Sequence, residues 1–331
     1  MTAMFDAGDF AGWTPIRVYR DGEGSWVDWC ETGSTRFVAP FFRETIGEVM
    51  ARPAAALLRR QTPLAMLGEV AAADPGLAPA GLIFHASRCG STLLARMLAA
   101  SGANRVLSEP EPVESVLRFG ARAPVVAEDE MVESLRALVS VLGRSQEEER
   151  RLFVKLHVSN ILAFPVIRRA FPEVPWVFCF RDPVEIMVSL AAVAGSDFVV
   201  GPVPPELYGL DLATAASLPP NVYAAQVLHT VFGAAARFVG DGGLLVDYAR
   251  LPGAFDEVLT HLGVDPDDGE RAAMVAVAAF DAKAPGKRFV ADSAARQAAA
   301  DDAVRQAAAL VGPAFGRLLE LEREHRPVPV R

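Results

Sequence analysis

The segment Leu152-Phe153-Val154-Lys155-Leu156-His157 places a lysine and a histidine two residues apart at the end of an apolar run. Read as a strand, it puts both side chains on one face, because successive residues of a strand point to opposite sides. A histidine titrates near neutrality and suits removal of a proton from a hydroxyl or amine. A lysine beside it suits stabilisation of charge on a transferring group. A second proton acceptor lies in Ser108-Glu109-Pro110-Glu111-Pro112. Glu109 follows a short strand at 105–107, and a carboxylate there acts as a base when its surroundings raise its pKa. His85 is a third candidate; it precedes a turn and could simply orient it.

Two further segments read as anion sites. Leu82-Ile83-Phe84-His85-Ala86-Ser87-Arg88-Cys89-Gly90-Ser91-Thr92-Leu93-Leu94 is a strand, a polar turn and a helix start. That order aims backbone N–H groups and the positive end of a helix at one spot, which binds phosphate. Gly90 permits close approach of the backbone, Ser91 and Thr92 add hydroxyls, and Arg88 adds charge. The turn is not a Walker A loop, since Ser91 stands where lysine is required and no glycine opens it. The plainer alternative is a βα turn with a capping serine. In Trp176-Val177-Phe178-Cys179-Phe180-Arg181-Asp182-Pro183, a buried strand ends in an arginine whose forked donors suit phosphate, and Ser189 follows in the next helix. The plainer alternative here is an Arg181–Asp182 surface pair.

The elements that must position these residues follow from patterning. Residues 13–42 read as β, with a hairpin turning at Asp21-Gly22-Glu23-Gly24. Residues 43–72 read as helical, interrupted at Pro53 and Pro63. A turn-rich stretch at 73–79 divides a small α+β extension, 1–75, from an α/β domain, 76–331. In the larger part, strands at 81–86, 152–157, 174–180 and 243–247 alternate with helices at 91–100, 131–142, 184 onward, 222–239, 255–262 and 294–324. This is the signature of a three-layer, P-loop-like fold around a mostly parallel sheet, with ligands at the carboxyl ends of the strands. Residues 195–219 read as a loop that serves as a lid or a static crossing. Trp13, Trp26, Trp29, Phe41 and Phe42 read as packing for the small sheet or as walls of an acceptor pocket.

Composition narrows the partners. The formal net charge of −9 opposes nonspecific binding to nucleic acid or to an anionic membrane face. An anionic ligand therefore needs a local basic pocket. Three widely spaced cysteines, Cys30, Cys89 and Cys179, argue against a disulfide framework or a zinc site and fit a reducing cytoplasm. The opening residues carry no secretory signal pattern, and no apolar run is long enough to span a bilayer. No constellation of carboxylates or cysteines reads as a metal site. Oligomeric state is not legible.

These pieces, in this order, resemble the family of sulfotransferases that use 3′-phosphoadenosine 5′-phosphosulfate (PAPS), over roughly residues 80–290. Ser87-Arg88-Cys89-Gly90-Ser91-Thr92-Leu93-Leu94 resembles the arginine version of that family's 5′-phosphosulfate turn, where lysine is usual. Arg181 and Ser189 have the spacing of its 3′-phosphate pair. Lys155-Leu156-His157 resembles the Lys-x-His strand end of its cytosolic branch, with histidine as base. Ser108-Glu109-Pro110 is similar to branches in which glutamate is the base. Val246-Asp247-Tyr248 resembles the strand whose tyrosine lies near the adenine, and Lys283-Ala284-Pro285-Gly286-Lys287-Arg288 resembles the late basic loop over the 3′-phosphate.

The resemblance implies PAPS as co-substrate, no metal, and an acceptor that is a small molecule, carbohydrate, peptide or lipid hydroxyl, or an amine. It implies that Arg88 holds the 5′-phosphate, that Lys155 balances sulfonate charge, and that His157, with Glu109 as alternative, accepts the proton. Arg181, Ser189, Lys287 and Arg288 would then grip the 3′-phosphate. The rivals are a P-loop kinase or NTPase, which lacks its lysine here and would need Asp182 for magnesium, and a noncatalytic nucleotide-binding scaffold.

Overall fold

The computed structural model describes residues 5–22, 24–121, 126–145, 148–282 and 287–324. Among them the strands are β1 (Trp13–Asp21), β2 (Gly24–Glu31), β3 (Arg60–Pro63), β4 (Pro79–His85), β5 (Asn104–Ser108), β6 (Arg151–Lys155), β7 (Trp176–Phe180) and β8 (Gly243–Asp247). Strands β4 to β8 form one sheet in the order β5-β6-β4-β7-β8, and every neighbouring pair is parallel.

Strands β4, β6, β7 and β8 are built on short apolar runs because both faces of this sheet are covered, whereas the edge strand β5 buries Asn104, Arg105 and Ser108 beside Val106 and Leu107. Alternate residues enter two different cores. Leu82, Phe84, Leu152, Val154, Trp176 and Phe178 face one, where Leu135, Val231 and Leu318 come in from the helices Glu128–Leu142, Pro220–Phe238 and Asp302–Glu324. Ile83, Phe153, Val177, Cys179 and Val246 face the other, against Leu94, Val258 and Met274 of the helices Ser91–Ala99, Phe255–His261 and Asp268–Ala276. The result is helix, sheet, helix, as the α/β alternation requires.

Strands that follow β4 are laid down first on one side of it, as β5 and β6, and then on the other, as β7 and β8. That reversal opens a crevice beyond the carboxyl end of β4. His85, Glu109, Lys155, Arg181 and Tyr248 all sit at or just past the carboxyl ends of the five strands.

Strands β1 and β2 form the expected hairpin, pairing Asp21 with Gly24; Glu23, at its tip, lies outside the described residues. Trp13, Val18, Val27 and Trp29 of this small sheet are buried in the same core as Leu82 and Phe84. Between 43 and 72 the structure departs from an all-helical reading. The helices are Phe42–Met50, Pro53–Leu57 and Met66–Ala73, with β3 between the last two. Pairing to β2 decides this: Thr62 sits opposite Val27 and accepts a hydrogen bond from Trp29 Nε1 at 2.9 Å. Tertiary pairing here overrides local helix preference.

The strand carrying Lys155 is also shorter than expected. Leu156 N–H still donates to Ile83 O at 2.8 Å, but His157 N–H turns to Asn160 Oδ1 at 2.8 Å. His157 therefore caps the 3-10 helix Val158–Ala163 instead of extending β6. Among the described residues no helix is long and apolar enough to cross a membrane.

Candidate active site

The turn after β4 is held in an unusual backbone conformation. Ser87 and Arg88 have φ of 65° and 51°, and Gly90 has φ of 82°. Among the described residues the only other non-glycine with positive φ is Glu109, at 55°. In a residue other than glycine such a conformation costs on the order of 1–3 kcal/mol, and such residues gather at functional sites. Gly90 cannot be replaced without conflict, because a Cβ there would meet Tyr248 Cδ2 at 2.8 Å and Leu251 Cδ1 at 2.9 Å. The helix Ser91–Ala99 starts directly afterwards, so the turn's N–H groups and the helix's positive end share the crevice. Cys89 contributes backbone only; its Sγ is buried and donates to Cys179 O at 3.0 Å.

Ser87 N–H donates to His85 Nδ1 at 3.0 Å. Nδ1 is thus an acceptor, and the ring's proton belongs on Nε2, which faces Glu109 Oε1 at 3.2 Å. Burial, aided by the Lys155 charge, pushes His85 down to about 4 and keeps it neutral. His85 accordingly orients the turn and Glu109.

Lys155, fully buried, is flanked by Ile83 and Ser108 in the sheet and pairs with Glu109 Oε1. Glu109 N–H donates to Lys155 O at 2.7 Å, and the positive φ folds its carboxylate back over the strand ends. Burial opposes its ionisation, yet Lys155, with the two histidines, holds the carboxyl well below the usual range. The His157 ring is enclosed by acids: Nε2 lies 3.6 Å from Glu109 Oε2, and Nδ1 lies 3.3 Å from Glu114 Oε1 and 3.2 Å from Asp197 Oδ2. Burial disfavours its charge, but the hydrogen bond to Asp197 and the charges of Glu114, Asp197 and Glu109 raise it to about 9.

These groups line a cavity of about 320 Å³, together with Phe41 and Arg43 from the N-terminal segment. A second cavity, of about 140 Å³, adjoins it; Arg88 and Thr92 belong to the walls of both. Arg88, Arg181 and Arg296 converge on this smaller space. Arg88 Nε donates to Ser189 Oγ and Arg181 Nη1 donates to Arg88 O at 3.4 Å, so Arg88 lies beside Arg181 and Ser189 while also lining the larger cavity. Ser189 lies within the helix Pro183–Ala192, close enough to the turn to capture it.

Arg181 is not paired with Asp182. Its Nε contacts Glu185 Oε2 at 2.5 Å, its Nη2 contacts Asp292 Oδ1 at 2.7 Å, and its guanidinium lies 3.9 Å from the centre of the Tyr248 ring. Asp182 instead caps the helix, accepting from Val184 N–H at 2.9 Å and Glu185 N–H at 3.3 Å. Asp292 also holds Arg296, at 2.6 Å. Arg88 alone of the three has no carboxylate at ion-pair distance among the described residues; burial, then Arg296 and Arg181, push its pKa down.

Lys287 and Arg288 are exposed and line neither cavity. Their segment folds back as a bridge between Phe280 and Arg288, which turns Phe280, Asp281 and Phe289 toward the smaller cavity. Lys283, Ala284, Pro285 and Gly286 lie outside the described residues. The sequence reading did not identify Asp197, Glu114, Asp292 or Arg296, which reach the site from distant elements without a local motif. Among the described residues no group of three or more His, Cys, Asp or Glu is arranged to hold a metal ion.

No family model matches the chain, and no curated protein matches it. Solved structures similar to it include a sulfotransferase from Alicyclobacillus acidocaldarius, 16% identical over 76% of this chain and 97% of that one, with a TM-score of 0.42. A sulfotransferase from Mycobacterium tuberculosis is 16% identical over 75% of this chain and 84% of that one, with a TM-score of 0.43. The sulfotransferase domain of a Synechococcus olefin synthase is 15% identical over 77% and 97%, with a TM-score of 0.39.

Proposed function

We propose that this protein transfers the sulfonate group of PAPS to a hydroxyl or amine of an acceptor. The observation that carries the reading is the shared wall at Arg88 and Thr92. On one side lies a cavity gathering three arginines; on the other lies a cavity holding Lys155, Glu109 and His157. A ligand with an anionic group at each end fits this pair of spaces. The strained turn fits phosphate in its own right, because its backbone N–H groups and the start of the helix Ser91–Ala99 lie at one place.

In this reading the Ser87–Thr92 turn holds the 5′-phosphate through backbone N–H groups and the Ser91 and Thr92 hydroxyls. Arg88, Arg181 and Ser189 hold the 3′-phosphate, with Arg296 adding charge and Tyr248 giving a flat face beside them. Lys155 neutralises charge on the sulfonate oxygens. PAPS supplies the sulfonate: the bond from sulfur to the acceptor atom forms as the bond to the phosphate oxygen breaks, and positioning with electrostatics carries the step.

The acceptor's proton goes to Glu109. A base must be unprotonated to act, and Glu109 is ionised at neutral pH while the His157 ring is charged. The Lys155 ammonium that holds Glu109 ionised also weakens it as a base. Lys155 shares its charge with the transferring group once the donor is seated, which returns basicity to the carboxylate when it is needed.

Calorimetry with 3′-phosphoadenosine 5′-phosphate (PAP) and with adenosine 5′-phosphate tests the reading. PAP is expected to bind at least ~10-fold more tightly, the difference of one charge-assisted phosphate contact. Equal binding of the two nucleotides removes the 3′-phosphate assignment. Transfer of labelled sulfonate from PAPS to a panel of hydroxyl and amine acceptors then tests catalysis.

A further inference from the structure

The segment 195–219 does more than cross the surface. Phe198, Val203 and Tyr208 are buried in the main core. Asp197 is 1% exposed and held from several sides: Oδ1 accepts from the Tyr208 hydroxyl at 2.9 Å, while Oδ2 meets His157 Nδ1 at 3.2 Å and accepts from Ser196 Oγ at 3.4 Å. Gln226, on the helix Pro220–Phe238, donates to Tyr208 O at 2.7 Å and ties the segment down. The His157 backbone is fixed independently by Asn160. A buried acid thus grips a histidine from behind while a tyrosine grips the acid.

The ring's surroundings define its protonation by geometry. Both ring nitrogens face carboxylate oxygens: Nδ1 faces Glu114 and Asp197, and Nε2 faces Glu109. Either neutral tautomer would leave one nitrogen lone pair directed at an anion. Only the doubly protonated ring offers a donor on both sides. The other charged groups nearby leave Asp197 as the principal acid on Nδ1. Arg118 pairs with Glu114 Oε1, the oxygen that faces Nδ1, and burial raises the Glu114 carboxyl; Lys155 is engaged by Glu109, His85 is neutral, and Glu111, whose carboxyl burial raises, feels the His157 charge.

We propose that Asp197, held by Tyr208, is a positioning residue that locks His157 as a cation with Nε2–H turned toward Glu109 and the larger cavity. His157 then donates to the reacting groups and steadies charge beside Lys155, and it does not take the acceptor's proton. This rests on the sulfonate-transfer reading only for the role of Glu109. The protonation and its dependence on Asp197 are properties of the protein alone.

The test is a pH titration of the full chain by NMR with ¹⁵N-labelled histidine, the His157 signal being assigned by its loss in His157→Gln. In the wild type the ring is expected to remain imidazolium at pH 8. In Asp197→Asn, which keeps the shape of the side chain, the titration midpoint is expected to fall by at least ~1 unit, the effect of removing one hydrogen-bonded carboxylate. Tyr208→Phe removes only the hydroxyl and is expected to broaden or shift the same transition; it decides the matter if Asp197→Asn does not fold. A neutral His157 at pH 7.5 in the wild type overturns the proposal, as does an unchanged midpoint in the folded variants. Neither donor nor acceptor is needed. A failure of PAP to bind therefore sinks the sulfonate-transfer reading and leaves this one standing, and the converse also holds.

Discussion

Glu109 and His157 both reach the larger cavity, and their protonation states separate their roles. Glu109→Gln keeps the size of the side chain but cannot accept a proton. It is expected to lower transfer at least ~100-fold with PAP affinity retained, measured by labelled sulfonate transfer beside calorimetry; near-wild-type transfer returns the proton to His157. The three arginines are likewise not equivalent. Among the described residues Arg88 has no ion-pair partner to strand, so Arg88→Ala is expected to weaken PAP by roughly 10- to 100-fold, one charged hydrogen-bond group, with little change in thermal midpoint. Arg181→Ala leaves Glu185 buried without its cation and is expected to lower both affinity and midpoint. Equal thermal effects of the two substitutions would contradict this division. The residues that end strands, Lys155, Arg181 and Glu109, were legible in the sequence because a strand end has a local signature. Asp197 and Arg296 were not, because each enters the site by folding, from a loop and from a late helix with no pattern pointing to a phosphate or a histidine.

At the scale of elements, the turn between β4 and its helix holds two of the three non-glycine residues with positive φ among the described residues. Gly90→Ala adds a methyl against Tyr248 and Leu251 in a left-handed backbone, at a cost of roughly 1–3 kcal/mol. The variant is expected to unfold at lower denaturant and to lose PAP affinity together, because the same backbone serves packing and binding; full affinity would separate the turn from the ligand. The helix after β7 is set by its cap. Asp182→Ala removes the acceptor of two N–H groups and is expected to cost about 1 kcal/mol in chemical denaturation. Four of the five core strands were readable because a sheet buried on both faces demands apolar runs; β5, with Asn104, Arg105 and Ser108 in it, showed only as a short strand at 105–107. Strand β3 was not, since Arg60-Gln61-Thr62-Pro63 has no apolar alternation and becomes a strand only by pairing with β2. The helix Asp268–Ala276 also escaped the reading, since it carries a single fully buried apolar residue, Met274.

Across the whole molecule, two enclosed histidines with opposite shifts shape stability against pH. An unfolded histidine titrates near 6.5. His157 has a folded pKa raised to about 9, so its contribution is complete below about 6.5 and is lost as pH rises toward 9. His85 is lowered to about 4, so it resists protonation in the fold; its contribution is complete above about 6.5 and is lost as pH falls toward 4. Glu109, held well below the ordinary carboxylate range, adds a further loss at still lower pH. The two limbs therefore meet, and stability is expected to peak near pH 6.5, with an alkaline limb from His157 of roughly 3 kcal/mol. Denaturant midpoints measured from pH 4.5 to 9.5 check this. Asp197→Asn is expected to flatten the alkaline limb and leave the acid limb in place, because His85 makes no contact with Asp197. A wild-type midpoint that climbs steadily from pH 6.5 to 9 would mean that the acids around His157 do not hold it charged, and the carboxylate cage would then have to be read as a source of strain.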